Sequence, residues 1–383
     1  MVVAGEASGD AHAAKIVNEI KKLEPLTRFG FFGAAGPKMR KAGVEAVVRS
    51  EGLSIVGLAE VAVSAPMFVE TWKRLKREAV SRKPNVVVLV DFPDFNLKLA
   101  RTLKRLGFKT IYYISPQLWA WRPYRITTIK KYVDQMITIL PFEKEWYAAH
   151  DYPHVEYIGH PLAGEVAPRS SKSDFCNRHH LNSEQPIVSF LPGSRQKEIS
   201  RILPKMLDSM SRITWVEPLS QYLIALASDE HRVEAEKIIA ARESKDHSFG
   251  NPITIVVDET FDAIHASDAA AVTSGTATLE TGIIGTPMAI VYKTSSINYA
   301  LFRPLISVEH YGLINLIAGK RVAKELIQTE FTAEALADEL VRLLQPKVNR
   351  AVRQDLRTAS EKLGLGGASA RAAKIILETV RNT

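Results

Sequence analysis

The sequence predicts an α/β protein of two doubly wound, Rossmann-like lobes with a helical C-terminal tail. The chain has 383 residues, of which 46% are hydrophobic, enough for two cores. β-branched runs alternate with amphipathic segments in both halves, and the polar stretch 166–186, which lacks periodicity, separates them. From Thr332 onward the pattern is helical. These three observations define the predicted fold class.

The N-terminal lobe is predicted to span residues 1–165. Helices are expected from Ala11, at Phe68–Ser81 and at Leu97–Leu106. The first strand is short, which predicts that a few residues precede Met1 in the natural protein. Strands are expected at Met1–Ala4, Phe29–Phe32, Val44–Arg49, Asn85–Val90, Lys109–Ile114, Gln135–Leu140 and Val155–Ile158.

The second lobe is predicted to span residues 187–345, after the linker 166–186 and its short helix at Asp174–His180. The tail 346–383 is expected to pack back on the N-terminal lobe or on a partner, with breaks at Gln345-Pro346 and Gly364–Gly367. Strands are expected at Ile187–Leu191, Tyr222–Ala227, Ile253–Val257, Ala269–Thr273 and Met288–Tyr292. Ligands of doubly wound folds bind at the carboxyl ends of the strands, which here predicts a site in the cleft between the lobes.

The stretch Ala271–Lys293 reads as a strand, a sharp turn at Ser274-Gly275, a helix from Thr276 and a second strand. Gly275 permits a close backbone approach, so the amides of Thr276 and Ala277 at the helix start can face an anion. Glu280 lies one helical turn beyond Thr276, where it can bind a sugar hydroxyl. This pattern suits a nucleotide diphosphate. The alternative is an ordinary β-α-β turn in which Ser and Thr cap a helix.

The second lobe opens with Leu191-Pro-Gly-Ser-Arg195 directly before a helix. The amides of Gly193 and Ser194 and the guanidinium of Arg195 are therefore expected to converge. Arginine presents a fixed fork of donors that matches phosphate oxygens. A capping serine beside a solvated arginine is the alternative. Two strand ends suited to anions in one lobe predict a diphosphate site.

Composition narrows the classes of function. The net charge is +8 and the pI is near 9.3, but Lys and Arg are spread over both lobes and no nucleic-acid-binding motif occurs, so no nucleic-acid partner is expected. The single cysteine, Cys176, fits a reducing compartment. Neither a signal peptide nor an apolar run of transmembrane length is recognisable.

The apolar-then-basic stretch Val61–Arg77 suits a peripheral contact with an anionic membrane, or else is a solvated helix face. Neither lobe has G-x-G-x-x-G after its first strand, and no Walker A motif is present.

Several further motifs complete a pattern that covers essentially the whole chain. The sequence resembles lipid-A-disaccharide synthases, most specifically in its Trp-Ala-Trp-Arg motif. The matching motifs are Gly5–Asp10, Gly33–Met39, Asp91–Asn96, Ser115–Arg122, Leu140–Glu143, Ile158–Leu162, Leu191–Arg195 and Ser274–Glu280.

The resemblance implies an inverting glycosyltransferase of the GT-B fold. It would join UDP-2,3-diacylglucosamine to 2,3-diacylglucosamine 1-phosphate (lipid X), giving a β(1→6) disaccharide phosphate and UDP. The resemblance also implies a cytoplasmic protein peripherally bound to the inner membrane, and a homodimer formed by exchange of C-terminal segments. Alternatives of the same fold are a peptidoglycan transferase and a UDP-GlcNAc epimerase. A glycosidase is disfavoured, because it does not need phosphate-binding strand ends.

Two segments depart from the family pattern. Gly312-Leu313-Ile314-Asn315 stands where a Ser-Leu-Pro-Asn sequence is usual, so the predicted donor contact of Asn315 depends on a changed loop. Gln117 stands where serine is usual.

An inverting reaction requires one base that deprotonates the attacking hydroxyl. Asp91 directly follows a buried strand, where burial would raise its pKa, so it is the first candidate, with Glu6 second and His12 behind them. Asp94 is also a base candidate, and its alternative role, the commoner one for such an aspartate, is to cap the helix from Leu97. No Asp-x-Asp motif occurs, so neither a metal nor another cofactor is expected. The remaining predicted acceptor and loop residues are Ser8, Asp10, Asn96, Trp119, Trp121, Arg122 and His160.

Overall fold

The computed structural model describes residues 1–53, 58–243, 251–295 and 308–382. The chain divides into two compact units. The first comprises Met1–Pro161 and Leu363–Thr383, and the second comprises Leu162–Lys362. Among the described residues, no helix combines the length and the apolar character needed to cross a membrane.

The first unit contains a seven-stranded parallel sheet in the order β3-β2-β1-β4-β5-β6-β7. Its strands are β1 (Val2–Ala4), β2 (Phe32–Ala35), β3 (Glu45–Arg49), β4 (Val87–Val90), β5 (Thr110–Tyr113), β6 (Gln135–Thr138) and β7 (Val155–Tyr157). The helices that follow them are α1 (Ala7–Leu23), α2 (Pro37–Lys41), α3 (Leu58–Arg82), α4 (Pro93–Arg105), α5 (Ile126–Tyr132) and α6 (Glu143–Ala149). The central strands are buried on both faces, which explains their continuous β-branched runs.

The second unit contains a six-stranded parallel sheet in the order β10-β9-β8-β11-β12-β13. Its strands are β8 (Ile187–Leu191), β9 (Gln221–Leu226), β10 (Ile253–Val257), β11 (Ala269–Thr273), β12 (Met288–Tyr292) and β13 (Lys324–Ile327). Its helices are α7 (Lys172–Arg178), α8 (Gln196–Val216), α9 (Arg232–Glu243), α10 (Thr260–Ala266), α11 (Thr276–Ile284), α12 (Leu313–Ala318), α13 (Ala333–Leu344) and α14 (Pro346–Glu361). The doubly wound order of both sheets confirms the predicted fold class.

The C-terminal helix α15 (Ala368–Arg381) belongs to the first unit and packs against α1. Its small and apolar side chains, including Ala372, Ala373 and Ile376, are buried there. The return to the first unit begins at Leu363, later than the predicted boundary at 346, because α14 packs against α11, α12 and α13 of the second unit.

Several local predictions were wrong. Helix α1 begins at Ala7 rather than Ala11, so Ser8 and Asp10 lie in a helix and not in a loop. The second strand is shifted to Phe32–Ala35 and includes Gly33, where a side chain would approach the main-chain oxygen of Val2 to 1.9 Å. Only glycine lets the two strands pair there. Helix α3 extends beyond both ends of the predicted segment Phe68–Ser81. Strand β13 was not predicted. Residues 54–57 of the apolar stretch before α3 lie outside the described residues.

Candidate active site

A cavity of about 550 Å³ lies at the carboxyl ends of β8, β9, β10 and β11 in the second unit. Helices α8, α10 and α11 begin at its rim, and the free amides of a helix start favour an anion. The predicted donor residues that line the cavity are Gly193, Ser194, Arg195, Ser274, Gly275, Thr276, Ala277 and Glu280.

The first predicted anion-binding element is the turn from β8 into α8. Arg195 occupies the N-cap position and its side chain is 68% exposed, so the guanidinium is accessible to a ligand. Glu198, one turn into the helix, accepts a hydrogen bond from the Ser194 nitrogen at 3.2 Å and pairs with Arg195 at 3.3 Å. Gly193 has φ +116, and a side chain there would meet Glu198. A carboxylate therefore occupies this amide-rich turn.

The second predicted anion-binding element is the turn from β11 into α11. Gly275 is the N-cap residue with φ 155 and ψ −160, a conformation that is essentially restricted to glycine. This geometry leaves Thr276 and Ala277 at the helix start, lining the cavity. Glu280 follows on the same helix, and its partial burial raises its pKa. The turn thus supplies amide donors beside a carboxylate that can accept hydrogen bonds from a sugar.

Asp262 and Arg169 are among the residues of this cavity that sequence reasoning missed. Asp262 lies in the first turn of α10 and is buried. Its Oδ1 accepts hydrogen bonds from the Arg169 and Ser170 nitrogens at 2.8 Å each, and from the Ser170 hydroxyl at 2.9 Å. These bonds fix the segment predicted as a linker and bring Arg169 to the cavity wall. The polar character of 166–186 gave no signal for this contact, because its partner lies about 90 residues away.

Asn315 does not line this cavity, in contrast to its predicted donor contact. Its Nδ2 donates to the Ala323 oxygen and to Glu325 at 2.8 Å each, and its Oδ1 accepts from the Val322 and Ala323 nitrogens at 2.9 Å. Its hydrogen-bonding capacity is therefore used within the fold. Glu325 also accepts hydrogen bonds from the nitrogens of Tyr311 and Gly312. These interactions fix the conformation of the segment Gly312–Asn315, whose sequence differs from the family pattern.

In the first unit, Asp91 follows β4 at the carboxyl edge of the sheet. Asp91 and Phe92 both adopt left-handed conformations, with φ +48 and +52. Burial raises the pKa of Asp91 to about 6, and the negative charge of Glu6 adds to this increase. Glu6 itself is exposed at the N-cap of α1. The structure thus brings the two predicted base candidates into electrostatic contact.

Two of the predicted acceptor residues have structural roles. The carboxylate of Asp10 accepts hydrogen bonds from the nitrogens of Gly36, Lys38 and Met39 at 2.8–3.0 Å. It therefore caps the start of α2 and is buried. Asn96 is fully buried and donates from Nδ2 to the main-chain oxygens of Val90 and Asp91. Ser8 is exposed in the first turn of α1.

Asp94 does not cap a helix, which corrects the sequence prediction. It lies in the first turn of α4 and pairs with Arg122 at 3.0 Å and with Arg125. The Arg122 guanidinium stacks 4.1 Å from the ring centre of Trp121. The Trp-Ala-Trp-Arg motif is thereby joined to the Asp91–Asn96 turn by an ion pair.

Trp119 is held by a buried carboxyl group that sequence reasoning had not assigned to the site. Its Nε1 donates to Glu143 Oε1 at 3.2 Å, and its ring contacts Phe142 edge to face. Burial raises the pKa of Glu143 to about 7. Gln117 is exposed.

At the end of β7, burial lowers the pKa of His160 to about 4, with a smaller contribution from His12.

Within the described ranges, no three His, Cys, Asp or Glu side chains lie close enough together to hold a metal ion. Two doubly wound sheets, with a cavity at the strand ends of the second sheet that contains Arg169, Arg195 and two glycine turns, are typical of the sugar-nucleotide class of GT-B proteins. Similar folds occur in the calicheamicin glycosyltransferase CalG4 (14% identity, TM-score 0.59, covering 100% of this chain and 97% of that one) and in a putative UDP-N-acetylglucosamine 2-epimerase from Listeria monocytogenes (13% identity, TM-score 0.63, covering 100% and 96%).

Sequence comparison identifies the family. The model for lipid-A-disaccharide synthetase matches residues 1–380. The lipid-A-disaccharide synthase of Geobacter metallireducens is 40% identical over 99% of this chain and 96% of its own length. That of Syntrophus aciditrophicus is 40% identical over 100% of this chain and 98% of its own length. The chain therefore belongs to the lipid-A-disaccharide synthase family and is a UDP-sugar-dependent glycosyltransferase.

Proposed function

We propose that the protein transfers 2,3-diacylglucosamine from its UDP derivative to the 6-hydroxyl of 2,3-diacylglucosamine 1-phosphate, with inversion. The products are the β(1→6) disaccharide 1-phosphate and UDP. The cavity of the second unit carries this proposal, because it combines Arg195, two helix starts and Glu280 at adjacent strand ends. Arg195 and the helix-start amides stabilise the negative charge that develops on the leaving UDP. Glu280 binds the ribose of the donor.

Asp91 is the proposed base. With a pKa of about 6, its carboxylate is mostly ionised near pH 7.5 and is a stronger base than an ordinary aspartate. It accepts the proton of the attacking hydroxyl while the oxygen forms the bond to the anomeric carbon and UDP departs. Glu6 is the alternative base. The Trp119–Arg122 segment is proposed to contact the acceptor, with Asp94 orienting Arg122.

The test supplies purified protein with the two lipid substrates and identifies the product by mass spectrometry. UDP should be released only when the monosaccharide 1-phosphate is present. Asp91→Asn should lower kcat by about 10²–10⁴-fold, the usual value for general-base catalysis, while both substrates still bind. Release of UDP without an acceptor, or interconversion of UDP-sugars, would indicate an epimerase or another transferase of this fold.

Peripheral attachment to the cytoplasmic face of an anionic inner membrane is part of the proposal. The exposed face of α3 carries Val69, Lys73, Arg74, Arg77 and Val80, which mix apolar and basic character. Met67 and Phe68 on the same helix pack against the core of the first unit. The lipid contact is therefore assigned to the exposed basic face.

A homodimer formed by exchange of C-terminal segments is the last part of the proposal. Helix α15 packs on α1 through small apolar side chains, and the same contact can form with a second copy. Gly364, Gly366 and Gly367 before α15 all have positive φ, so the chain can redirect there. Light scattering combined with a disulfide placed between α1 and α15 distinguishes the two arrangements: exchange predicts a covalent dimer.

A further inference from the structure

The turn that carries Asp91 is strained. Asp91 and Phe92 are consecutive residues in the left-handed region, which side chains other than glycine rarely occupy. Such a pair persists only where surrounding interactions hold it. The contacts that hold this turn therefore also determine where the Asp91 carboxylate points.

Two side chains hold the main-chain oxygen of Asp91. The Tyr112 hydroxyl donates to it at 2.7 Å, and Asn96 Nδ2 donates to it at 2.8 Å. Tyr112 lies on β5, next to β4, and is fully buried, while Asn96 lies on α4 and is equally buried. Both donors therefore come from rigid elements on either side of the turn.

Further contacts restrict the same turn. The Asn96 nitrogen donates to the Phe92 oxygen at 3.0 Å, and the Asp91 nitrogen donates to the Tyr113 oxygen at 2.9 Å. The Phe92 ring lies so close to Gly5 that a side chain there would approach it to 2.3 Å. Phe92 also packs against Phe95, with ring centres 5.6 Å apart.

We propose that Tyr112 and Asn96 are positioning residues that act through the main-chain oxygen of Asp91 and hold its carboxylate in the direction needed for catalysis. This inference rests on the proposed role of Asp91 as the base. Neither side chain is assigned a contact with substrate. Tyr112 remains protonated throughout the working range, because burial and then the charge of Asp91 raise its pKa well above the ordinary value. It therefore acts only as a donor.

Other ionisable groups affect the pKa values of Asp91 and Tyr112, and the test keeps them unchanged. The negative charge of Glu6, at the start of α1, raises the pKa of Asp91. The pKa of Tyr112 is affected by the charges of Tyr147 on α6, Arg125 before α5 and Asp94 on α4. The substitution Tyr112→Phe removes one hydroxyl and leaves all of these groups in place.

The experiment compares Tyr112→Phe with the matched control Tyr152→Phe. Tyr152 is also buried, and its hydroxyl also donates to a main-chain oxygen, that of Val133 at 3.0 Å. Both substitutions should lower Tm by similar amounts, because each removes one buried hydrogen bond. Only Tyr112→Phe should lower kcat, by about 10-fold, with KM within twofold of wild type. Its acidic limb in the kcat profile should move below pH 6, because a loosened Asp91 becomes better hydrated.

A double-mutant cycle tests whether the effect passes through Asp91. In an Asp91→Asn background, Tyr112→Phe should lower Tm as before but should leave the residual kcat unchanged. Equal kcat and equal pH limbs for Tyr112→Phe and wild type would overturn the positioning role while leaving the base assignment intact. Full activity of Asp91→Asn would instead overturn the proposed base, and the inference with it.

Discussion

Glu198 pairs with Arg195 across the first turn of α8, with Oε1 3.3 Å from Nη1, while its Oε2 accepts a hydrogen bond from the Ser194 nitrogen at 3.2 Å. The carboxylate thereby contacts two groups proposed to bind the donor diphosphate. A diphosphate and Glu198 repel each other, so binding of the donor requires these contacts to be exchanged.

Glu198→Gln should therefore bind UDP several-fold more tightly than the wild type, because a competing negative charge is removed. The substitution should also lower Tm slightly, since an acidic residue near a helix start is stabilising. Calorimetry with UDP measures the first effect. Weaker binding would show instead that Glu198 orients Arg195 for the ligand.

Arg195→Ala should lower kcat/KM by roughly 30- to 1,000-fold, about 2–4 kcal/mol, because a charge-assisted contact to the leaving diphosphate is lost. Arg201→Ala is the control, since Arg201 is exposed on the same helix and does not line the cavity. Steady-state kinetics with both lipid substrates measure the difference. Equal losses in the two variants would place the diphosphate elsewhere.

Glu280→Gln should weaken UDP binding more than it lowers kcat at saturating donor, because a ribose contact is made equally in the ground and transition states. Burial raises the pKa of Glu280, so some of the affinity should also be lost as the pH falls and the carboxylate becomes protonated. Calorimetry with UDP across pH compares Glu280→Gln with the wild type. Unaltered UDP affinity in Glu280→Gln would exclude the ribose contact.

Asp91→Asn should stabilise the protein near pH 7.5 although it lowers kcat. The folded-state pKa of Asp91 is about 6, above the usual value near 3.9, so folding favours the protonated form. The ionised carboxylate therefore costs stability above pH 6, and this cost disappears as the pH falls below about 4. Thermal unfolding should show the variant more stable by about 1–3 kcal/mol at pH 7.5, with the difference vanishing near pH 4. A constant difference at both pH values would assign the effect to packing.

Reversing the charge of Lys73 and Arg77 to Glu should release the protein from anionic vesicles. The control variant changes Lys41 and Lys98 to Glu, which alters the net charge equally at exposed positions on α2 and α4. Vesicles containing phosphatidylglycerol in a co-sedimentation assay compare the two. If both variants are released equally, the attraction reflects net charge and α3 is not the contact.

The sequence by itself determined the two doubly wound sheets and most of the residues at their carboxyl ends. The predicted strands at Ile187–Leu191, Ala269–Thr273 and Met288–Tyr292 match the structure residue for residue. Buried parallel strands are continuous apolar runs, and the glycine of the Ser274-Gly275 turn is required by a local conformation. Each of these signals is contained in a stretch of a few residues, so it can be recognised without knowledge of the rest of the fold.

Only the tertiary structure decided what each polar side chain does. Asp94 pairs with arginines about 30 residues away, and Asn315 forms hydrogen bonds with the loop before β13 and with Glu325 in that strand. Arg169 reaches the cavity through a contact with Asp262, and burial raises the pKa of Glu143, a residue that the sequence did not assign to the site. Hydrogen-bond partners and local dielectric are set by segments distant in the chain, so periodicity and spacing along the sequence do not reveal them.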